Sequence, residues 1–112
     1  MKKTTKDSKE NKFYGAIIET TPNKLKKILG EPQFFCNNGR YKNNICYTCE
    51  INNGNIITIY DWKECRQIDM NEIIRFHIGG NNKEDTINAK TELNSLLQDW
   101  KLDKQYSIIE SC

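Results

Sequence analysis

The sequence contains a single histidine, His77, and only two prolines. It has no apolar run near the roughly 20 residues that a membrane-spanning helix needs. One histidine leaves one candidate base for any His-based catalytic dyad. Neither a nucleophile elbow nor a glycine-rich phosphate loop is present. A net charge of only +2 implies no nucleic-acid partner by itself. The N-terminus lacks the apolar core of a signal peptide, and the cysteines are odd in number at five. Both features argue against a disulfide framework and for reduced thiols. A cytoplasmic protein without membrane association is expected.

What is present suits one modest core. A length of 112 residues is typical of a single domain, and 37% hydrophobic with 29% charged residues is polar but not disordered overall. Residues 1 to about 11 are Lys-rich and show no periodicity. They read as a flexible tail, with a domain over 12–112. Phe13 to Glu19 alternates around Tyr14, Ala16 and Ile18 as a first strand. A short helix follows, with Thr21 as cap, Pro22 in its first turn and Leu25, Ile28 and Leu29 as its apolar stripe. Gly30 suits the left-handed position that ends it, Pro32 blocks continuation, and Lys24, Lys26 and Lys27 favour its carbonyl end.

Asn43–Ile51 and Asn55–Trp62 flank Asn53-Gly54, the preferred pair for a two-residue hairpin loop. That loop sets Ile51 against Ile56, Cys49 against Thr58, Tyr47 against Tyr60 and Ile45 against Trp62. Tyr60 and Trp62 then join Ile45, Tyr47 and Cys49 on the face that meets the helices. A slip of one residue would exchange the faces. A further strand over Ile73–Ile78 puts Ile74, Phe76 and Ile78 on one side and Arg75 and His77 on the other. After Gly79-Gly80, a residue among Asn81, Asn82 and Asp85 caps an amphipathic helix carrying Ala89, Leu93, Leu96, Leu97 and Trp100, which runs to about Lys101. Tyr106–Ile109 reads as a short edge strand or a packing tail. The order β-α-β-β-β-α predicts a small two-layer α+β domain with a mostly antiparallel sheet.

Cys46 and Cys49 have zinc-like spacing, and Cys65 and His77 complete a conceivable ligand set. Residues three apart on a strand face opposite ways and cannot share a metal, so no metal or other cofactor is expected. Cys36, Cys46 and Cys65 are the candidate nucleophiles and Asp61 could orient the imidazole, yet nothing local supports such a catalytic arrangement. The stronger candidate is a binding surface. Tyr60, Trp62 and Lys63 end one strand, and Phe76, His77, Gly79, Gly80, Asn81 and Lys83 lie at the next strand–helix junction. Gly79-Gly80 would let backbone approach a ligand, amides at the helix start favour an anion, and the aromatic rings offer stacking. The alternative for the diglycine is a tight turn requiring positive φ.

Three segments together resemble a family of small phage-encoded proteins: Thr21 to Pro32, with Leu29-Gly30-Glu31-Pro32 at the helix end; Gly54-Asn55-Ile56-Ile57-Thr58-Ile59-Tyr60-Asp61-Trp62-Lys63; and Phe76-His77-Ile78-Gly79-Gly80-Asn81. The resemblance spans residues 13 to 100. Phe76 replaces the tryptophan usual in that family, and the connector after Lys63 is shorter than in many members. What the resemblance implies is a phage or prophage accessory protein acting in an infected bacterial cell, and the missing catalytic constellation makes a non-enzymatic one the expectation. Its expected role is counter-defence, binding and inhibiting a host immune component such as a CRISPR effector. The alternatives are a sponge for an anionic nucleotide immune signal and, less favoured, a nucleic-acid-binding accessory protein using the Lys-rich tail and helix. Exposed strand edges also make a homo-oligomer conceivable.

Overall fold

The computed structural model describes residues 1–6, 11–38, 43–62 and 66–110, with side chains as far as residue 98. Its elements are β1 (Lys2–Lys3), β2 (Lys12–Thr20), α1 (Pro22–Leu29), β3 (Phe34–Phe35), β4 (Ile45–Glu50), β5 (Ile56–Asp61), β6 (Ile74–Gly80) and α2 (Lys83–Glu110). The strands form one antiparallel sheet in the order β1-β4-β5-β6-β2, with β3 also paired to β4. Helix α2 packs across β2, β5 and β6 and touches α1. The α+β, two-layer expectation holds.

Local chemistry explains the helix limits. Thr21 is extended, and its hydroxyl oxygen accepts the Lys24 N–H at 3.1 Å, capping α1. Pro22 costs nothing there because its amide would have no intrahelical partner. Gly30 adopts φ 81° and returns its N–H to the Lys26 carbonyl at 2.9 Å. Leu25 and Leu29 are buried, as their spacing requires. Asn82 caps α2 by accepting the Asp85 N–H at 2.8 Å. The helix then continues through Glu110, past the expected end near Lys101. Neither glycine nor proline interrupts it, so Tyr106–Ile109 is helical and not an edge strand.

The first residues depart from the expected structureless tail. Lys2 and Lys3 pair with Glu50 and Cys49, and Met1 packs against the core with its ammonium 3.2 Å from Glu92 Oε1. A two-residue strand carries no periodicity, which is why composition concealed it. Residues 7–10 lie outside the described residues.

The main correction concerns the hairpin. Its loop has three residues, Asn52 to Gly54. The Gly54 N–H donates to the Ile51 carbonyl at 2.9 Å, and the Ile51 N–H donates to the Asn55 carbonyl at 3.0 Å. Gly54 takes φ 90°, as expected of the left-handed residue that closes such a loop. Glu50 therefore faces Ile56, Cys49 faces Ile57, Tyr47 faces Ile59 and Cys46 faces Tyr60. The slip keeps Ile45, Tyr47 and Cys49 in the core and brings Ile57, Ile59 and Asp61 beside them. It turns Tyr60 and Trp62 away from the helices. In β6, Ile74, Phe76 and Ile78 face inward as alternation predicts.

Asp85 ties this loop to the start of α2. The side chain is nearly fully buried, and its carboxylate accepts the amide groups of Asn53 (3.2 Å), Asn55 (3.0 Å) and Asn82 (3.3 Å). Three amide donors satisfy a buried charge that would otherwise be costly. The loop's bend and the helix start are thereby held as one unit.

Candidate functional site

With the helices on one face, β2, β5 and β6 turn alternate side chains onto the other. Four rings gather there. The Phe13 ring from β2 stacks on the His77 imidazole from β6, with centroids 4.4 Å apart and planes 21° from parallel. Tyr60 lies 5.7 Å from the same imidazole and 6.0 Å from Trp62, which meets it edge-on. Trp62 is in turn 6.5 Å from His77. Such separations fall in the range of favourable aromatic pairs. Phe13 and Trp62 remain 44% and 40% exposed, too open for simple core residues.

Gly79 makes the floor of the cluster. It lies in β6, beside Phe13 on one neighbour and Thr58 on the other. A Cβ at Gly79 would come within 2.7 Å of Thr58 Oγ1 and 3.6 Å of the Tyr60 ring. Gly80 instead faces α2, where a Cβ would meet Thr86 Cγ2 at 3.0 Å. Neither glycine has positive φ, so the tight-turn reading of the pair fails. Both are strand residues in register with β2. A loop of free amides cradling an anion is not formed there. Close packing is what excludes a side chain at each position.

The expected site residues thus divide. Tyr60, Trp62, His77 and Gly79 come together on the open face. Phe76 is fully buried on the opposite face and cannot touch a ligand. Asn81 and Lys83 are exposed at the start of α2, and the Asn81 carbonyl accepts the Tyr14 hydroxyl at 3.1 Å. Lys63 lies outside the described residues, as does Cys65. Phe13 is the participant that the sequence reading missed. Its signal was the alternation that set it opposite Tyr14 and Ala16, but nothing local showed that β2 would lie against β6.

Every titratable side chain of the ring cluster and its neighbour Cys46 is biased toward its neutral form. Burial, and then the Arg75 charge, holds the His77 imidazole below its ordinary range. Burial, and then Cys46, raises the Tyr60 phenol, while burial and Asp61 raise the Cys46 thiol. Cys49 faces the core, where burial pushes its thiol up to about 12. The Cys46 and Cys49 side chains therefore lie on opposite faces, as alternation demands. Asp61 also lies on the face opposite His77, so it does not orient that imidazole. An uncharged aromatic surface is cheap to strip of water.

The lowered His77 value has a measurable consequence. Below the ordinary imidazole value of about 6.5, the unfolded chain binds the proton more readily than the folded one. Stability is therefore fully present above that value and declines as pH falls through the lower folded value. The slope is expected to be small because the ring is substantially solvated. Urea midpoints at about pH 7.5 and 5.5 should show this decline, and His77→Gln should reduce it.

No protein-family model, curated protein or solved structure matches this chain. No helix among the described residues is long and apolar enough to cross a membrane.

Proposed function

We propose that this is a non-enzymatic binding protein that docks its open sheet face onto a protein partner. The carrying observation is the half-exposed, uncharged cluster of Phe13, Tyr60, Trp62 and His77 on a face without a covering helix among the described residues. Aromatic residues of this kind supply a large share of protein–protein binding energy, because they bury wide apolar area at little entropic cost. The resemblance to small phage proteins supplies the biological setting. In that reading the partner is a host immune component, such as a CRISPR effector, and occupation of its surface blocks it.

The test is expression in a bacterium with an active CRISPR defence, challenged by a targeted phage. Wild type is expected to restore plaque formation, and the Phe13→Ser/Trp62→Ser double variant is expected to lose most of that rescue while keeping its melting temperature within a few degrees. Equal rescue by both proteins would remove the open face from the mechanism. No rescue by wild type would remove this class of target.

The ring faces also favour a second reading, an anionic-nucleotide sponge, since nucleobases stack on such surfaces. Cyclic and linear nucleotides would then raise the melting temperature in proportion to ligand concentration. The strand geometry of Gly79-Gly80 supports the protein-blocking reading over this one, because it leaves no amide cradle for the phosphate.

A further inference from the structure

Strand β2 lies at the edge of the sheet, and among the described residues its only strand partner is β6. Beside it runs a chain of openings. One of about 580 Å³ is bounded by Tyr14, Gly15, Lys83 and Ile87, and one of about 430 Å³ by Ile17, Glu19 and Arg75. They share Gly15, Lys90 and Asn94. A third, of about 340 Å³, shares Glu19 and Asn94 with the second, and meets a larger one of about 860 Å³ at Lys24. The first three form a trough that follows β2, a strand about 30 Å long at the usual rise per residue, and the fourth lies beyond the strand's end along α1.

The trough is strongly one-signed. Lys83, Lys90, Arg75 and Lys24 line it, with Lys26 and Lys27 in the opening beyond, against Glu19 alone among the described residues. Arg75 is 3.5 Å from Glu19 with both side chains exposed, and the half-buried Lys26 is 3.4 Å from an exposed Glu31; ion pairs that reach solvent in this way are weak. Lys24, Lys27, Lys83 and Lys90 form no ion pair among the described residues. In a chain of net charge +2, this concentration of cations on one groove is a directional feature.

We propose that the trough takes an extended, acidic segment of a protein partner, which adds as a strand to β2 along Ile17–Thr20. The bulge between Phe13 and Ile17, where Gly15 takes φ 97°, interrupts the strand before this stretch. From Ile17 to Thr20 the pairing with β6 is regular, and an edge strand carries backbone donors and acceptors on its outer side; Ile17 and Glu19 are the accessible residues of this stretch, while Ile18 and Thr20 are buried. A polypeptide can satisfy both, whereas a nucleic-acid backbone offers acceptors only to the lysines. The carboxylates of the added segment meet Lys90 and Lys83 on the α2 side and Lys24 at the far end. This site adjoins the ring cluster, since Ile17 pairs with His77, but it uses the outer edge of β2 and the lysines and none of the four rings.

The probe is a fluorescein-labelled nonapeptide alternating glutamate and valine, followed by anisotropy and by amide shifts in a ¹⁵N-labelled protein. Saturable binding is expected, with shifts centred on Ile17–Thr20 and on the first turns of α2. The Lys24→Glu/Lys90→Glu variant should bind about tenfold or more weakly, since both changed charges face the ligand. Methylating alternate peptide amides, which leaves every carboxylate in place, should abolish binding. The Phe13→Ser/Trp62→Ser protein should bind the peptide like wild type, so failure here is distinct from failure of the open-face reading. The proposal is overturned by no saturation at about 1 mM peptide, a level already far weaker than specific recognition. It is equally overturned by undiminished binding to the charge-reversed variant or the methylated peptide, or by a single-stranded oligonucleotide of equal charge that displaces the peptide.

Discussion

Asp61→Ala is expected to lower the free energy of unfolding by about 3–5 kcal/mol, a large fraction of the stability of a domain this size. The carboxylate is fully buried. Its Oδ1 accepts the N–H groups of Asn44 and Ile45, both at 2.8 Å, and Oδ2 accepts the Asn44 N–H again at 3.1 Å. Alanine would strand both backbone donors in an environment with almost no water, since Asn44 and Ile45 are 1% and 2% exposed. The damage would spread, because the Asn44 side-chain amide also donates to the Arg66 carbonyl at 2.8 Å. Asp61→Asn keeps one acceptor oxygen and should cost less, about 1–2 kcal/mol. Urea denaturation at neutral pH measures both. A loss below about 1 kcal/mol for the alanine variant would mean that these amides find other partners.

Phe76→Ala is expected to cost about 3–5 kcal/mol, while Trp62→Ala should stay within about 1 kcal/mol. Phe76 packs among Ile18, Ile74, Ile78 and other fully buried side chains, so its removal leaves a cavity in a close-packed core. Trp62 is on the open face, where solvent fills the space of a lost ring. The same denaturation experiment reads both variants. A mild Phe76→Ala combined with a severe Trp62→Ala would mean that the two faces of the sheet have been interchanged.

These two predictions divide two short motifs at the level of single residues. In Tyr60-Asp61-Trp62, the middle residue anchors the approach to β4 while its neighbours face outward. In Phe76-His77-Ile78, the flanking residues build the core and the imidazole joins the ring cluster. A contiguous motif on a strand thus serves two layers, because successive side chains point to opposite sides. Phe76 and His77 are both candidate binding residues by sequence, but alternation places Phe76 in the core and leaves His77 alone of the two on the open face.

What the sequence by itself determined is short in range: the Thr21 cap and Pro22 start of α1, its end at Gly30, the inward set of β6, and the opposition of Cys46 and Cys49. These depend on side-chain period and on backbone angles within a few residues, so neighbouring letters suffice. Only the tertiary structure decided the register of β4 against β5, because Asn-Gly fits both two- and three-residue loops and the choice moves Tyr60 and Trp62 from one layer to the other. It also decided that β2 lies beside β6, bringing Phe13 onto His77 and leaving an edge along the basic trough. Strand pairing joins residues far apart in the chain through backbone groups that every sequence shares, so no local pattern could announce it.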